Sequence, residues 1–197
     1  VDLQSEEAGE QLKEFAAHPK AVGVRHVIHD EADMNFMLRP EFIRGVKLLE
    51  KYGLVYDILI FEKHLPNTLQ FVAQFSENQL FVVDHIAKPL IKDDIIEPWA
   101  QYMAELAAFP NVYCKLSGMV TEADWQNWTP ETLCSYLDVV FATFGPDRVM
   151  IGSDWPVCLV AGSYQKVISV VTDYIESLSP ENQAKVLGEN AVKVYGL

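Results

Sequence analysis

The sequence is short of positive charge. Fifteen Lys and Arg stand against 28 Asp and Glu, a net charge of −13 at pH 7. Phosphate backbones and anionic membranes select basic surfaces, so this balance argues against nucleic acid and membrane as partners. Cysteine is scarce as well. Cys114, Cys134 and Cys158 lack the paired spacing of a metal site and read as reduced thiols in or near a core, as in the cytoplasm. No apolar run approaches the ~18 residues of a membrane span. The opening Val1-Asp2-Leu3-Gln4-Ser5-Glu6-Glu7 has neither the basic start nor the apolar centre of a signal peptide. Val1 is not a methionine, so residues ahead of it are expected. No glycine-rich loop follows a strand-like segment, which removes support for a dinucleotide site.

What remains is a chain of 197 residues, half of them hydrophobic, enough for one domain over residues 1–197 with a full core. A small-molecule substrate or a protein partner, a second copy of the chain included, is compatible with the charge.

Short apolar runs alternate with helical patterns. Ser5 to Ala17 predicts a helix capped by Ser5. Ala21–Val27, Leu54–Ile60, Leu80–His85, Val112–Ser117 and the run from Arg148 that Pro156 is expected to stop read as five strands. Pro40, Pro66, Pro98 and Pro130 open helices after the first four, with Leu69, Val72 and Ala73 inward on the second of these. Ser163 to Leu178 and Pro180 to about Gly188 complete the pattern. Such alternation means βαβ units and a parallel sheet, either a doubly wound open sheet or part of a (β/α)8 barrel. Each strand ends in polar residues: Arg25-His26, Asp57, Asp84-His85, Lys115-Ser117 and Asp154. Polar groups converging from several strand ends are what a barrel active site is made of.

Asp154 stands after an apolar run and before Trp155-Pro156. A carboxylate there is a candidate general base or metal ligand; the plainer alternative is a turn aspartate. His85 is a candidate electrophile or metal ligand. Arg25 and His26 offer donors to substrate oxygens, or pair with the acidic loop at Asp30, Glu31 and Asp33; alternation sends only one of them into the barrel. Lys115 shares parity with Ser117, and a buried lysine there needs Asp57 or Asp154 as partner. It reads as structural or substrate-orienting. Asp84 reads as a structural cap pointing away from His85. Trp155, Trp125 and Trp128 are candidate walls for a substrate ring.

Three long segments carry a resemblance: Val83-Asp84-His85-Ile86-Ala87-Lys88-Pro89, Asn111 to Gly118, and Phe144-Gly145-Pro146-Asp147-Arg148 running into Gly152-Ser153-Asp154-Trp155-Pro156. Together with Gly23-Val24-Arg25-His26 and Asn190-Ala191 they resemble the amidohydrolase-related family, most closely its sugar-lactonase branch. The resemblance implies a TIM-barrel-like (β/α)8 metal-dependent hydrolase fold whose last five units, strands four to eight, are these five strands. It implies that strands one to three, with the His-X-His of the first, are absent from this sequence. The activity it implies is opening of a sugar-acid lactone of the fucono or rhamnono type by water that Asp154 activates. His85 and Asp154 are then catalytic and candidate zinc ligands; Arg25, His26, Lys115 and Trp155 contact substrate. Asp57, standing where a metal-binding histidine is placed in the wider superfamily, argues against two metals; one zinc or none remains. The alternatives are a decarboxylase or another C–O hydrolase of the same superfamily, or a truncated barrel acting as an inactive binding element.

Overall fold

The computed structural model describes residues 1–197. Five strands form one sheet: β1 Gly23–Val27, β2 Val55–Leu59, β3 Phe81–Val83, β4 Val112–Leu116 and β5 Val149–Ile151. They lie side by side in chain order and every pair is parallel. A doubly wound sheet reverses its strand order at a switch point. This one does not, so consecutive units of a barrel are the arrangement that remains.

Helices precede, connect and follow the strands: α1 Ala8–Ala16 before β1, α2 Pro40–Lys47, α3 Leu65–Val72, α4 Trp99–Ala107, the short α5 Met119–Glu122 and α6 Pro130–Phe144 between strands, and α7 Tyr164–Tyr174, α8 Pro180–Ala184 and α9 Asn190–Tyr195 after β5. Proline lies in the first turn of α2, α3, α6 and α8, where its missing N–H costs nothing. No helix is long and apolar enough to cross a membrane.

Some local expectations shift. Ser5 does not cap α1; its Oγ accepts from Glu7 N, and the helix starts at Ala8. The acidic Ser5-Glu6-Glu7 run forms a turn before the helix. Ala73 is exposed because α3 stops at Val72, and Phe71 takes the buried position instead. The last helical region passes Gly188 through a wide π turn at Lys185–Glu189 and ends at Gly196, where φ is +64°. α5 follows β4 directly, without the apolar periodicity that marks longer helices.

The strand register sorts side chains by parity. Tyr56, Ile58, Phe81, Val83, Val112, Cys114, Leu116 and Val149 face the helices in one large core. The opposite, concave side begins with a small apolar layer of Val55, Val82, Tyr113 and Met150, closed by Val194 of α9. Above that layer the concave side turns polar.

Candidate active site

Residues from four strands build the polar layer. Asp84, immediately after β3, is fully buried. It accepts from Arg25 Nη1 of β1 at 2.9 Å and from Lys115 Nζ of β4 at 2.6 Å. Lys115 also reaches Asp57 of β2 at 3.2 Å, and Tyr195 Oη of α9 donates to Asp57 at 2.8 Å. Burial would lower the Lys115 ammonium, but Asp84 and Asp57 outweigh it and hold its pKa above the usual lysine value. Burial pushes against an ionised Asp84, yet Lys115 and Arg25 keep its pKa below the carboxylate range. Asp57 moves the other way: burial raises it, because the lysine commits its shorter bond to Asp84. The layer carries two cations and two carboxylates in mutual contact, as buried charges require.

Asp84 is therefore no cap but the centre of this network. Its parity with Val82, which faces the concave side, was the signal that placed it there. Lys115 finds Asp57, as its parity suggested, but its second partner is Asp84 and not Asp154.

The chain after Asp84 abandons strand geometry. His85, Ile86, Ala87 and Lys88 all take positive φ, from 48° to 60°. Each such L-residue costs of order 1–2 kcal/mol, so the surroundings must hold the turn in place. Trp99 Nε1 donates to Ile86 O at 2.8 Å, and Lys88 N donates to His85 O at 2.9 Å. This left-handed turn cancels the alternation between neighbours and brings the His85 ring to the side where Asp84 lies.

His85 meets two groups there. Its Nδ1 is 2.8 Å from Ser117 Oγ, just beyond β4. Its Nε2 is 3.7 Å from Oδ1 of Asp154. Gly118, with φ +62°, lets the backbone pass the imidazole; a Cβ there would lie 2.7 Å from the ring. Asp154 itself has φ +55°, three residues past the end of β5, with Cys158 N donating to its carbonyl at 2.9 Å. Pro156 accordingly does not end the strand. Burial raises the Asp154 carboxyl above its ordinary range, against the pull of Lys88. Burial lowers His85 to about 4, so its ring is neutral at neutral pH.

Other candidates fall in different places. Arg25 faces the layer and its side chain is 48 % exposed, with Nη1 on Asp84 and its other guanidinium donors unbonded within the chain. His26 faces the helices. Its ring stacks on Phe36 at 4.6 Å, and its Nε2 pairs with Glu31 at 2.7 Å. The structure thus takes His26 away from the site, because it has the opposite parity to Arg25. Trp155 follows Asp154 and is 63 % exposed at the rim. Trp128 is buried, its Nε1 donating to Ala161 O, whereas Trp125 is exposed. Sequence reasoning gave no site role to Lys88, which pairs with Glu122 of α5 at 2.6 Å, or to Phe61. Lys88 and His29 both pack on the Phe61 ring. No periodicity marks these loop residues; only their position after strand ends does.

The metal expectation can be tested on donor chemistry. A catalytic zinc takes three protein ligands and keeps one position open. His85 and Asp154 are two convergent donors, and no group of three His, Cys, Asp or Glu comes together in the chain. Arg25 and Lys88 also bring positive charge to the pair's surroundings. These residues by themselves do not fit a complete zinc site.

Comparison with known proteins places the arrangement. The amidohydrolase family profile matches residues 1–197. L-Fucono-1,5-lactonase of Burkholderia multivorans is 40 % identical over 207 residues, covering all of this chain and 69 % of that protein. L-Fucono-1,5-lactonase of Burkholderia ambifaria is 35 % identical and covers 99 % of this chain and 68 % of its own length. A crystal structure of a Burkholderia multivorans amidohydrolase with bound zinc superposes with a TM-score of 0.95 at 39 % identity, over the whole chain and 72 % of that structure. A probable 2-pyrone-4,6-dicarboxylic acid hydrolase of Acinetobacter baumannii shares the fold, at a TM-score of 0.82 and 18 % identity. The five parallel strands are thus part of an amidohydrolase barrel, and the chain spans about two thirds of the curated lactonases. The chain belongs to the amidohydrolase family along its whole length.

Proposed function

We propose that this site hydrolyses sugar-acid lactones of the L-fucono-1,5-lactone type, with Asp154 as general base and His85 as electrophile. The observation that carries the reading is their convergence, His85 Nε2 to Asp154 Oδ1 at 3.7 Å, at the strand ends of a chain 40 % identical to an L-fucono-1,5-lactonase.

The chemistry follows from the two side chains. Asp154 accepts a proton from water as the water oxygen bonds to the lactone carbonyl carbon. Burial makes this carboxylate a stronger base than a free aspartate. A neutral His85 donates a hydrogen bond to the carbonyl oxygen as charge collects there. The tetrahedral intermediate collapses, the ring C–O bond breaks, and Asp154 returns its proton to the departing ring oxygen. The product is an open hydroxy acid, which releases its acidic proton to solvent. Arg25 presents its free guanidinium donors to substrate oxygens, and Trp155 supplies an aromatic face at the rim. Lys115 has both partners inside the protein and orients the layer beneath the substrate. His85 and Asp154 would also be the residues of this chain that hold a zinc ion, which would add Lewis-acid polarisation of the carbonyl, and loss of turnover on chelation is the measurement that tells the one-zinc reading from the metal-free one. A role in carbohydrate metabolism follows from such a substrate.

The decarboxylase alternative has only a shared fold behind it, at 14 % identity. The test is acid release from a panel of sugar lactones set against carboxylated aromatics. Asp154→Asn should keep the fold and lose about 10²–10⁴-fold in turnover, the usual worth of a positioned base. Lactones left unopened by the wild type would refute the reading, and normal turnover by Asp154→Asn would remove Asp154 from the chemistry.

A further inference from the structure

Ser117 is 2 % exposed, and the bond to His85 Nδ1 is the only one its hydroxyl makes. Such burial is wrong for a nucleophile, which must meet the substrate. It is right for a group that acts on the imidazole. A neutral imidazole carries one proton, on Nδ1 or on Nε2. The two choices leave different neighbours unsatisfied.

With the proton on Nδ1, that N–H would donate to Ser117 Oγ. The serine hydroxyl proton would then have no acceptor, since no other partner lies in reach. The bare Nε2 lone pair would also face the Asp154 carboxylate at 3.7 Å, acceptor against acceptor. With the proton on Nε2, Ser117 donates to the bare Nδ1, and Nε2–H points toward Asp154 and the substrate space. Both neighbours of the ring select the same form, and Gly118 fits its backbone against the imidazole so the ring cannot swing away.

We propose that Ser117 is a positioning residue that donates to His85 Nδ1 and so fixes the His85 proton on Nε2, the form that can donate to a lactone carbonyl. The inference deepens the lactonase reading and rests on it for its catalytic consequence. The hydroxyl never touches substrate. It acts through the ring, as outer partners of catalytic and metal-bound histidines do.

Imidazole nitrogens are distinguished by long-range ¹H–¹⁵N correlation on the full-length protein at neutral pH, with the His85 signals assigned by their loss in His85→Gln. The wild type should show a protonated Nε2 and a bare Nδ1. Ser117→Ala, which removes one buried oxygen, should show a mixture of both forms. In the same variant kcat should fall about 10- to 100-fold with KM unchanged. A bare Nε2 in the wild type overturns the proposal. So does a Ser117→Ala protein whose tautomer and kcat are unchanged. A wild type that shows Nε2–H but opens no lactone leaves the tautomer assignment standing and refutes the function instead.

Discussion

The two sides of one sheet do different jobs with the same backbone. On the helix side of β3, Phe81 and Val83 lie in a continuous apolar core. On the concave side of the same segment, Val82 is followed by Asp84, which holds Arg25 and Lys115. The helix side gains from area alone, at roughly 25 cal/mol per Å² buried, and tolerates similar shapes. The concave side gains from pairing, where one missing partner strands two charges. Stability on one side is a sum, and on the other it is a condition.

The largest effects test that contrast directly. Asp84→Ala leaves Lys115 and Arg25 without their shared carboxylate, and removing one partner of a buried pair costs about 3–5 kcal/mol. Phe81→Ala, three residues away on the other side, costs a similar 3–5 kcal/mol through the cavity it leaves. Their kinetics should separate. Asp84→Ala should also lose about tenfold or more in kcat, because Asp84 adjoins His85. Phe81→Ala should keep the kcat of its folded fraction. Urea unfolding paired with steady-state rates decides; equal kcat for the two variants would erase the distinction between the sides.

The helix side was legible in the sequence and the concave side only partly. Apolar runs placed all five strands, and prolines placed the starts of α2, α3, α6 and α8, because burial and a fixed φ act locally. Parity put Lys115 and Ser117 on one face, and a Cβ built on Gly152 would meet both side chains, at 3.0 Å from Ser117 and 3.3 Å from Lys115. It went wrong at His85, where the first of four positive φ values breaks the alternation and turns the ring to the side of Asp84. Nothing in the residues 85–88 announces a left-handed turn; none is glycine, and Trp99 and Gly118, which hold it, lie 11 or more residues beyond Lys88. Long-range support is what a local reading cannot supply.

Gly118→Ala sharpens the point with a smaller change. The new Cβ would lie 2.7 Å from the His85 ring, and the φ of +62° adds strain of about 1–2 kcal/mol. The ring must move, and a displacement of that order costs on the order of 10²-fold in rate. The expected signature is a kcat/KM loss of that size with a modest drop in melting temperature. A loss below tenfold would mean that the site does not depend on where the left-handed turn sets the ring.

A pH titration probes the same residue through stability. Folding lowers the His85 pKa from 6.5 to about 4 by burial. Between those values the unfolded chain binds a proton that the folded chain refuses, so stability falls as pH drops from 6.5 toward 4. The full shift is worth about 3 kcal/mol at 1.36 kcal/mol per unit. Asp154, raised by burial, acts with the opposite sign at the acid end. Denaturant midpoints of the wild type and His85→Gln across this range isolate the histidine. Parallel curves would mean that the ring is not held neutral.

The smallest expected effect is at His26, one residue from Arg25 on β1. Parity sends Arg25 to the charged layer and His26 to the helices, against Phe36 and Phe42 of the first crossover. His26→Ala removes a stacked pair, worth about 0.5–1.5 kcal/mol, and a part-exposed pairing with Glu31, worth at most about 1. The fold should lose about 1–2 kcal/mol, and kcat/KM should stay within twofold, because no atom of His26 reaches the concave side. Arg25→Ala should do the reverse in kinetics, raising KM as substrate oxygens lose their donors. Measured together, two neighbours on one strand become the sheet in miniature. If His26→Ala raised KM as Arg25→Ala does, side-chain parity would not be what divides fold from function here, and the substrate would have to reach past the edge of β1.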